Sequence, residues 1–162
     1  MAKIALGFGS NLGNREENLK NAIDLVVQKK ILHQHNISSM LNNKALLLPD
    51  SPESWDLDFL NCVVIGNTEL LPHELWTLIK QIEQDLGRKS KKTWSPREID
   101  IDLLVYDDLC LRDLDINIPH QGLIERDFAI GLLAQLWPDW QYPVPGRHYK
   151  RTAHYLSQRL SS

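Results

Sequence analysis

The order of hydrophobic patterns along the chain constrains its fold more than any other feature. Apolar side chains alternate with others in some stretches, as in strands, and recur every three or four residues in other stretches, as in helices. In chain order these stretches are a strand over Lys3–Phe8, a helix over Arg15–Lys30, a weaker strand over Ile31–Met40, a strand over Phe59–Ile65, a helix from Pro72 to about Gly87, and a strand over Ile99–Tyr106. Strand, helix, strand, repeated once, is typical of the ferredoxin-like βαββαβ fold. It predicts an α+β sandwich in which helices pack on one face of an antiparallel sheet.

Two further segments lie outside this repeated order. Leu123–Leu136 has helical spacing and predicts an extra C-terminal helix that packs around the sheet. Leu41–Asp58 is a long connection, and connections of this length in compact domains are often functional. The length of 162 residues predicts one domain over residues 1–162.

Composition excludes several classes of protein. The net charge of −3 argues against a basic nucleic-acid binder, and no apolar stretch is long enough to span a membrane. The two cysteines, Cys62 and Cys110, form neither a disulfide framework nor a metal-ligand pair, and Cys62 lies in an apolar strand as an expected core residue. No signal peptide is evident, so we expect a reducing, cytoplasmic setting.

The strand near residue 100 carries two carboxylates on an otherwise apolar segment. Its apolar residues are expected to share one face; they are Ile99, Ile101, Leu103 and Val105. Asp100 and Asp102 share the other face, about 6–7 Å apart. Two adjacent carboxylates repel each other, and a divalent cation removes that repulsion; Mg²⁺ favours one or two carboxylates with substrate phosphates. The alternative is an ordinary solvent-facing sheet surface.

A cationic segment precedes this strand. Five basic side chains and no acidic one lie between residues 88 and 97; they are Arg88, Lys89, Lys91, Lys92 and Arg97. Such a patch on an acidic protein suits a small polyanion, and guanidinium groups bind phosphate oxygens in a bidentate fork. Trp94 could stack on a planar ring or fill the core. The alternative for the whole segment is a solvated loop.

Three other motifs allow a functional and a structural interpretation. Gly7-Phe8-Gly9-Ser10-Asn11-Leu12-Gly13 follows a strand and precedes a helix, but its spacing differs from dinucleotide and Walker motifs, so we predict a structural turn. His33 and His35 share a strand face without a third ligand, which argues against a metal site. His120 and Arg126 flank the start of the third helix and could meet phosphate, although a lone histidine is more often structural.

Taken in order, these motifs resemble the 6-hydroxymethyl-7,8-dihydropterin pyrophosphokinase family. The matching residues are Gly9-Ser10-Asn11-Leu12-Gly13, Phe59-Leu60-Asn61, Glu83 with Leu86-Gly87-Arg88, Trp94-Ser95-Pro96-Arg97-Glu98-Ile99-Asp100-Ile101-Asp102-Leu103-Leu104, Ile118-Pro119-His120, Arg126 and Phe128. The resemblance implies a ferredoxin-like enzyme of folate biosynthesis. Such an enzyme transfers the terminal diphosphate of ATP to the pterin hydroxymethyl group and releases AMP.

The resemblance also implies a role for each matching side chain. Asp100 and Asp102 would hold two Mg²⁺ ions that bridge the ATP phosphates, and Asp100 could help to accept the hydroxyl proton. The cationic side chains would bind ATP; they are Arg88, Lys91, Lys92, Arg97, His120 and Arg126, and Arg88 and Arg97 would also neutralise charge in the transition state. Trp94 would contact ATP and the pterin. The remaining pterin contacts would be Phe59, Asn61, Asp100 and Phe128.

The resemblance implies ATP and a pterin as ligands, with no nucleic acid and no membrane, and a monomeric chain. Three departures from the family pattern leave alternatives open. The usual Thr-x-Pro-x-Gly of the pterin pocket is missing from the run Met40–Pro49, Ser90 replaces a loop arginine for which Lys91 or Lys92 could substitute, and Gln121 replaces a frequent aromatic residue. The alternatives are a related kinase that acts on a modified pterin or another small alcohol, and a nucleotide-binding module without catalysis.

Overall fold

A computed structural model describes residues 1–44, 49–87 and 98–160 of the chain. The strands are β1 (Ala2–Ser10), β2 (His33–Ile37), β3 (Leu41–Asn43), β4 (Phe59–Thr68), β5 (Asp100–Tyr106), β6 (Leu111–Arg112) and β7 (Asn117–Ile118). The α-helices are α1 (Arg15–Gln28), α2 (Pro72–Asp85), α3 (Gly122–Glu125), α4 (Asp127–Leu136) and α5 (Ala153–Leu160), and Glu53–Trp55 forms a 3₁₀ turn. Within these ranges, no helix combines the length and apolar character needed to cross a bilayer.

The main sheet has the strand order β2-β4-β1-β5, with β3 also paired to β4. All of its pairings are antiparallel. β4 lies between β1 and β2, and α1 and α2 are the two crossover helices of the strand–helix–strand units. The prediction of a ferredoxin-like α+β fold is therefore confirmed.

One face of the sheet is covered by α1 and α2, as the sequence predicts. The helices bury their apolar stripes against β1, β4 and β5; the helical residues are Leu19, Ala22, Ile23, Val26, Leu75, Ile79 and Ile82. Asn14 caps α1, because its Oδ1 accepts the Glu17 backbone N–H at 3.2 Å. On α2 the buried stripe differs from the prediction. Leu78 is partly exposed, while the carboxylate-bearing Glu83 is buried.

The other face of the sheet carries a second core, which the prediction of helices on one face missed. Helix α4 packs there against β4 and is flanked by α3 and α5. Residues of these helices and Trp140 form one apolar cluster with Ala5, Val63, Ile65 and Leu104. The predicted helix over Leu123–Leu136 is two helices, because Arg126 has extended backbone angles that interrupt it. Helix α5 was not predicted, and its residues Ala153 and Leu156 join this second core. Helices therefore cover part of both faces.

A β-bulge in β5 changes which side chains face which core. Ala5 pairs with Val105 and Leu6 pairs with Leu103, so Leu104 is an extra residue. Leu104 and Val105 consequently both belong to the second core. The prediction that Val105 shares a face with Ile101 and Leu103 is wrong, because strict alternation ends at the bulge.

The turn between the first strand and the first helix begins later than the sequence predicts. Strand β1 does not end at Phe8 but continues to Ser10, so Gly9 as well as Gly7 is a strand residue in the interior of the sheet. The prediction for Cys62 is confirmed: it is a buried core residue, and burial raises the pKa of its thiol to about 12.

Candidate active site

The second face of the sheet is open at one end, where a cavity of about 560 Å³ lies over β1, β4 and β5. The cavity brings together seven residues that the sequence proposes for the site; they are Phe59, Asn61, Asp100, Asp102, His120, Arg126 and Phe128. These residues come from segments almost 70 positions apart in the chain. The five other proposed residues lie outside the described ranges; they are Arg88, Lys91, Lys92, Trp94 and Arg97.

Glycines of β1 form the floor of this cavity. Gly9 pairs with Asn61 on one side and with Asp100 on the other, and Gly7 pairs with Asp102. A Cβ atom on Gly9 would lie 2.8 Å from the Asn61 Oδ1 atom. Glycine is therefore required for the Asn61 side chain to lie across the floor of the cavity. This role could not be predicted from the sequence, because the strand partners of Gly9 are distant in the chain.

The electrostatic surroundings of the two aspartates differ from those of aspartates on an ordinary solvent-facing sheet surface. Burial raises the pKa of the Asp102 carboxyl above its ordinary value, and the neighbouring Asp100 carboxylate raises it further. Three cationic side chains oppose this rise; they are His120, Lys80 and Arg126. A carboxylate pair that is held close and partly desolvated is stabilised by added positive charge, which a divalent cation supplies.

Two hydrogen bonds hold His120 in place, one from its backbone and one to its side chain. Its backbone N–H donates to the Leu104 carbonyl at 2.8 Å, and its Nδ1 accepts the Gly122 N–H at 2.9 Å. Because Nδ1 is an acceptor, the proton of the neutral ring lies on Nε2. Nε2 lies 3.7 Å from the Asp102 Oδ1 atom. The β5 bulge and Gly122 thus aim an imidazole N–H at the aspartate pair.

The opposite side of the cavity suits a flat, polar ligand. Two aromatic rings line it, from Phe59 on β4 and Phe128 on α4. Asn61 lies near them and donates its side-chain amide to the Asn43 Oδ1 atom. Asn43 and Lys44 also line the cavity, so the long connection after residue 40 contributes to its wall. This side therefore combines stacking surfaces with amide hydrogen-bonding groups.

Lys80 is a cavity residue that the sequence interpretation missed. It projects from α2 and lines both the main cavity and a second one of about 270 Å³. Asp102 and His120 also line both cavities. One signal in the sequence could have drawn attention to this part of α2. Glu83, three residues after Lys80, places a carboxylate on the apolar stripe of the helix.

The donor set fits Mg²⁺ bound together with phosphate. In the described parts of the chain, no cluster of three or more His, Cys, Asp or Glu side chains could hold a metal. A closed protein cage is thus not what these residues provide. Asp100 and Asp102 supply carboxylate oxygens on one strand face, and Mg²⁺ commonly takes one or two carboxylates, with phosphate and water as the other ligands.

Comparison with known proteins identifies the family. The family model for 7,8-dihydro-6-hydroxymethylpterin-pyrophosphokinase (HPPK) matches residues 5–138. The chain belongs to the HPPK family. A 2-amino-4-hydroxy-6-hydroxymethyldihydropteridine pyrophosphokinase of Aquifex aeolicus is 36% identical, over 89% of this chain and 86% of that protein. A folate synthesis bifunctional protein of Chlamydia caviae is 45% identical over 90% of this chain, which spans only 33% of that protein.

Solved structures of HPPK domains share the fold. Plasmodium falciparum HPPK-DHPS A437G with pteroate aligns with a TM-score of 0.68 over 98% of this chain and 40% of that one, at 16% identity. At this identity the likeness concerns the fold alone. The family resemblance inferred from the sequence motifs is confirmed by the family match and by the Aquifex relative.

Proposed function

We propose that this HPPK-family protein transfers the terminal diphosphate of ATP to the hydroxymethyl group of 6-hydroxymethyl-7,8-dihydropterin. AMP and the pterin diphosphate are the products. Family membership and the Aquifex relative support the reaction. The observation that carries the proposal is that Asp102 lines two cavities. A transfer between two bound molecules needs a residue that both can reach, because the reacting groups must lie within contact distance.

The main cavity has the features of the pterin side. Phe59 and Phe128 would stack on the bicyclic ring, and Asn61 would hydrogen-bond its polar edge. Asp100 would lie beside the hydroxymethyl group and could accept its proton. The aromatic rings also exclude water from the acceptor, which favours transfer over hydrolysis.

Basic side chains surround the aspartates and fit the triphosphate of ATP. His120 presents its Nε2 N–H, which would donate to a phosphate oxygen. Arg126 lines the same cavity and would neutralise phosphate charge as it shifts toward the leaving AMP. We propose the same role for Arg88 and Arg97, with Lys91 and Lys92 as further phosphate ligands and Trp94 as a contact to ATP and pterin. These five assignments rest on the family motif alone.

Asp100 and Asp102 would hold two Mg²⁺ ions. A divalent cation held by these two carboxylates would supply positive charge that stabilises the phosphate groups during transfer. The protein's own contribution is to hold the carboxylates close and surround them with positive charge. A monomeric state and a cytoplasmic setting belong to the same proposal and rest on composition and family resemblance.

A modified pterin is the alternative substrate, and one contact favours considering it. Asn61 already donates to Asn43, a residue of the segment that lacks the family's Thr-x-Pro-x-Gly. An acceptor with a different polar edge could use the Asn43 amide in place of the missing groups. The alternative predicts diphosphate transfer with another alcohol and little turnover of the standard pterin.

The test is release of AMP from Mg-ATP with and without 6-hydroxymethyl-7,8-dihydropterin, with product masses measured. We expect pterin-dependent AMP and a pterin heavier by a diphosphate group. Chelation of divalent cations should abolish both. Pterin-dependent ADP would contradict diphosphate transfer, and ATP binding without any AMP would favour the non-catalytic module. AMP formed only with another alcohol would favour the alternative substrate.

A further inference from the structure

Strand β5 is the outer strand of the main sheet, so one of its backbone edges faces away from β1. Helix α2 supplies hydrogen-bond partners to that edge at Ile101. The Ile101 N–H donates to the Glu83 Oε1 atom at 2.6 Å, and the Lys80 Nζ donates to the Ile101 carbonyl at 2.7 Å. An outward N–H and an outward C=O are thus both satisfied by side chains.

The position of these two bonds relates them to the aspartate pair. The Ile101 N–H belongs to the peptide group that begins at Asp100, and the Ile101 C=O belongs to the one that leads into Asp102. Fixing both peptide groups therefore fixes the backbone from which both carboxylates project. Asp102 also contacts Lys80 directly, since its Oδ1 atom lies 3.8 Å from the Lys80 Nζ.

Lys80 and Glu83 form an ion pair that is far from an ordinary surface pair. Their charged atoms lie 3.2 Å apart, and their side chains are 25% and 2% exposed. A buried carboxylate is costly unless it is paired and hydrogen-bonded, and Glu83 meets both conditions through Lys80 and Ile101. By contrast, the pair of Lys20 and Glu16 on α1 is more than 60% exposed at both side chains and contributes little.

We propose that Lys80 and Glu83 are positioning residues for the divalent-cation site at Asp100 and Asp102. They clamp the outer edge of β5 at the residue between the two aspartates, which holds the carboxylates at the separation needed for bridging cations. This inference rests on the proposed role of the aspartates as cation ligands. It assigns no contact with the reacting atoms to Lys80 or Glu83.

The test compares two uncharged substitutions of Lys80. Both Lys80→Met and Lys80→Gln remove the ammonium, so any effect of its charge on cation binding is common to both. Only glutamine keeps an N–H that can donate to the Ile101 carbonyl. The difference between the variants therefore reports the hydrogen bond to β5. Lys20→Met, which breaks the exposed ion pair of α1, is the matched control.

Two of the readouts need no catalysis. Mn²⁺ binding is measured by calorimetry, and exchange of the Ile101 amide hydrogen is measured by NMR in the metal-free protein. We expect Lys80→Met to bind Mn²⁺ about 10- to 100-fold more weakly than Lys80→Gln, the usual cost of losing a group that orients a metal ligand. The Ile101 amide should also exchange faster in Lys80→Met. The kcat for AMP release should follow the same order, while Lys20→Met matches the parent.

Equal Mn²⁺ affinity and equal Ile101 exchange in the two Lys80 variants would overturn the proposal. So would an equal loss in Lys20→Met, which would point to general helix stability. If Lys80→Met does not fold, the comparison is repeated in a Glu83→Gln background, where position 83 carries no buried negative charge. Failure of the proposed function is distinguishable, because a protein without pterin-dependent AMP could still show the Mn²⁺ and exchange differences.

Discussion

The two ends of the sheet's second face differ although the same strands build them. At the covered end, Ala5, Ile65 and Leu104 pack under α4 and α5. At the open end, Gly9 and Asp102 face a cavity. Asp102 and Leu104 are only two residues apart on β5, so the change from core to site occurs within one strand.

The difference between the two ends shows how the fold can keep the site rigid while the cavity stays open. The strands are fixed by packing at the covered end and on the opposite face, so their continuation can carry glycines and carboxylates. Groups on regular elements are placed more accurately than groups on loops. Substitutions at the open end should therefore change catalysis with little effect on folding, and substitutions at the covered end should do the reverse.

The largest expected effect is on catalysis at the open end. Asp100→Ala should lower kcat by more than about 1,000-fold, because the proposed cation site would lose one of its two carboxylates. The melting temperature of the metal-free protein should stay near that of the parent. AMP release and thermal unfolding measure the two quantities. An Asp100→Ala variant with full activity would contradict the cation-site assignment.

At the covered end, Leu133→Ala should reduce the free energy of unfolding by about 2–5 kcal/mol, because the side chain is fully buried in the second core. The kcat of the folded fraction should remain near that of the parent. Denaturant unfolding measures the loss. Leu114→Ala is the control, since Leu114 is fully exposed and its truncation should change neither quantity. A fall in kcat without loss of stability in Leu133→Ala would contradict the proposed difference between the two ends.

A smaller effect is expected at the floor of the cavity. Gly9→Ala places a methyl group 2.8 Å from the resting position of the Asn61 Oδ1 atom, so the amide must move. We expect the KM for the pterin to rise about tenfold with the KM for ATP unchanged. Gly131→Ala is the control: apart from its chain neighbours and the backbone of its own helix, no atom lies within 4 Å of the added methyl, and the helix should gain about 0.5–1 kcal/mol. Equal kinetics in both variants would argue against Asn61 as a pterin ligand.

The smallest effects concern pH, and two aspartates should respond in opposite directions. The pKa of Asp102 is raised in the folded protein. Above about pH 4, the unfolded state therefore binds fewer protons at this carboxyl than the folded state does. The parent protein consequently loses stability as pH rises through this range. Asp102→Asn should then melt higher than the parent at neutral pH, in chelator, by a margin that disappears in acid. A margin that persists below pH 3 would contradict the assigned cause.

Asp113 provides the opposite case in the β6–β7 hairpin. The Ile116 N–H, His73 and the Asp115 N–H hold the pKa of the Asp113 carboxyl below its usual value. Its stabilising effect is present above the ordinary aspartate pKa and is lost as pH falls through the lowered one. The Asp113→Asn variant should therefore have a lower melting temperature than the parent at neutral pH and the same melting temperature in acid. Melting curves of the two variants on one pH series test both signs.

Local signals made much of the fold predictable. Asn14 followed by Glu17 marked the start of α1, and Pro72 and Gly87 marked the ends of α2, where Gly87 has a positive φ of 99°. Alternation placed Asp100 and Asp102 on one strand face. The ordered family motif then indicated which distant segments meet, and seven of its residues do line one cavity.

The unpredicted features depend on contacts between distant segments. The β5 bulge depends on pairing with β1, and it moves Val105 to the other core. Helix α5 packs against α4, so its packing could not be assigned before the position of α4 on the sheet was known. Gly9 looked like a turn residue, because only the pairing with Asn61 and Asp100 shows why a side chain is excluded there.

The central claim is that the open end holds divalent cations between Asp100 and Asp102, where nucleotide and pterin meet. Anomalous X-ray diffraction from crystals grown with Mn²⁺ and a non-hydrolysable ATP analogue tests it most directly. We expect anomalous peaks that place Mn²⁺ within bonding distance of both carboxylates and of phosphate oxygens, with the analogue beside His120 and Arg126. Mn²⁺ and phosphate bound elsewhere, with the two carboxylates unligated, would contradict it.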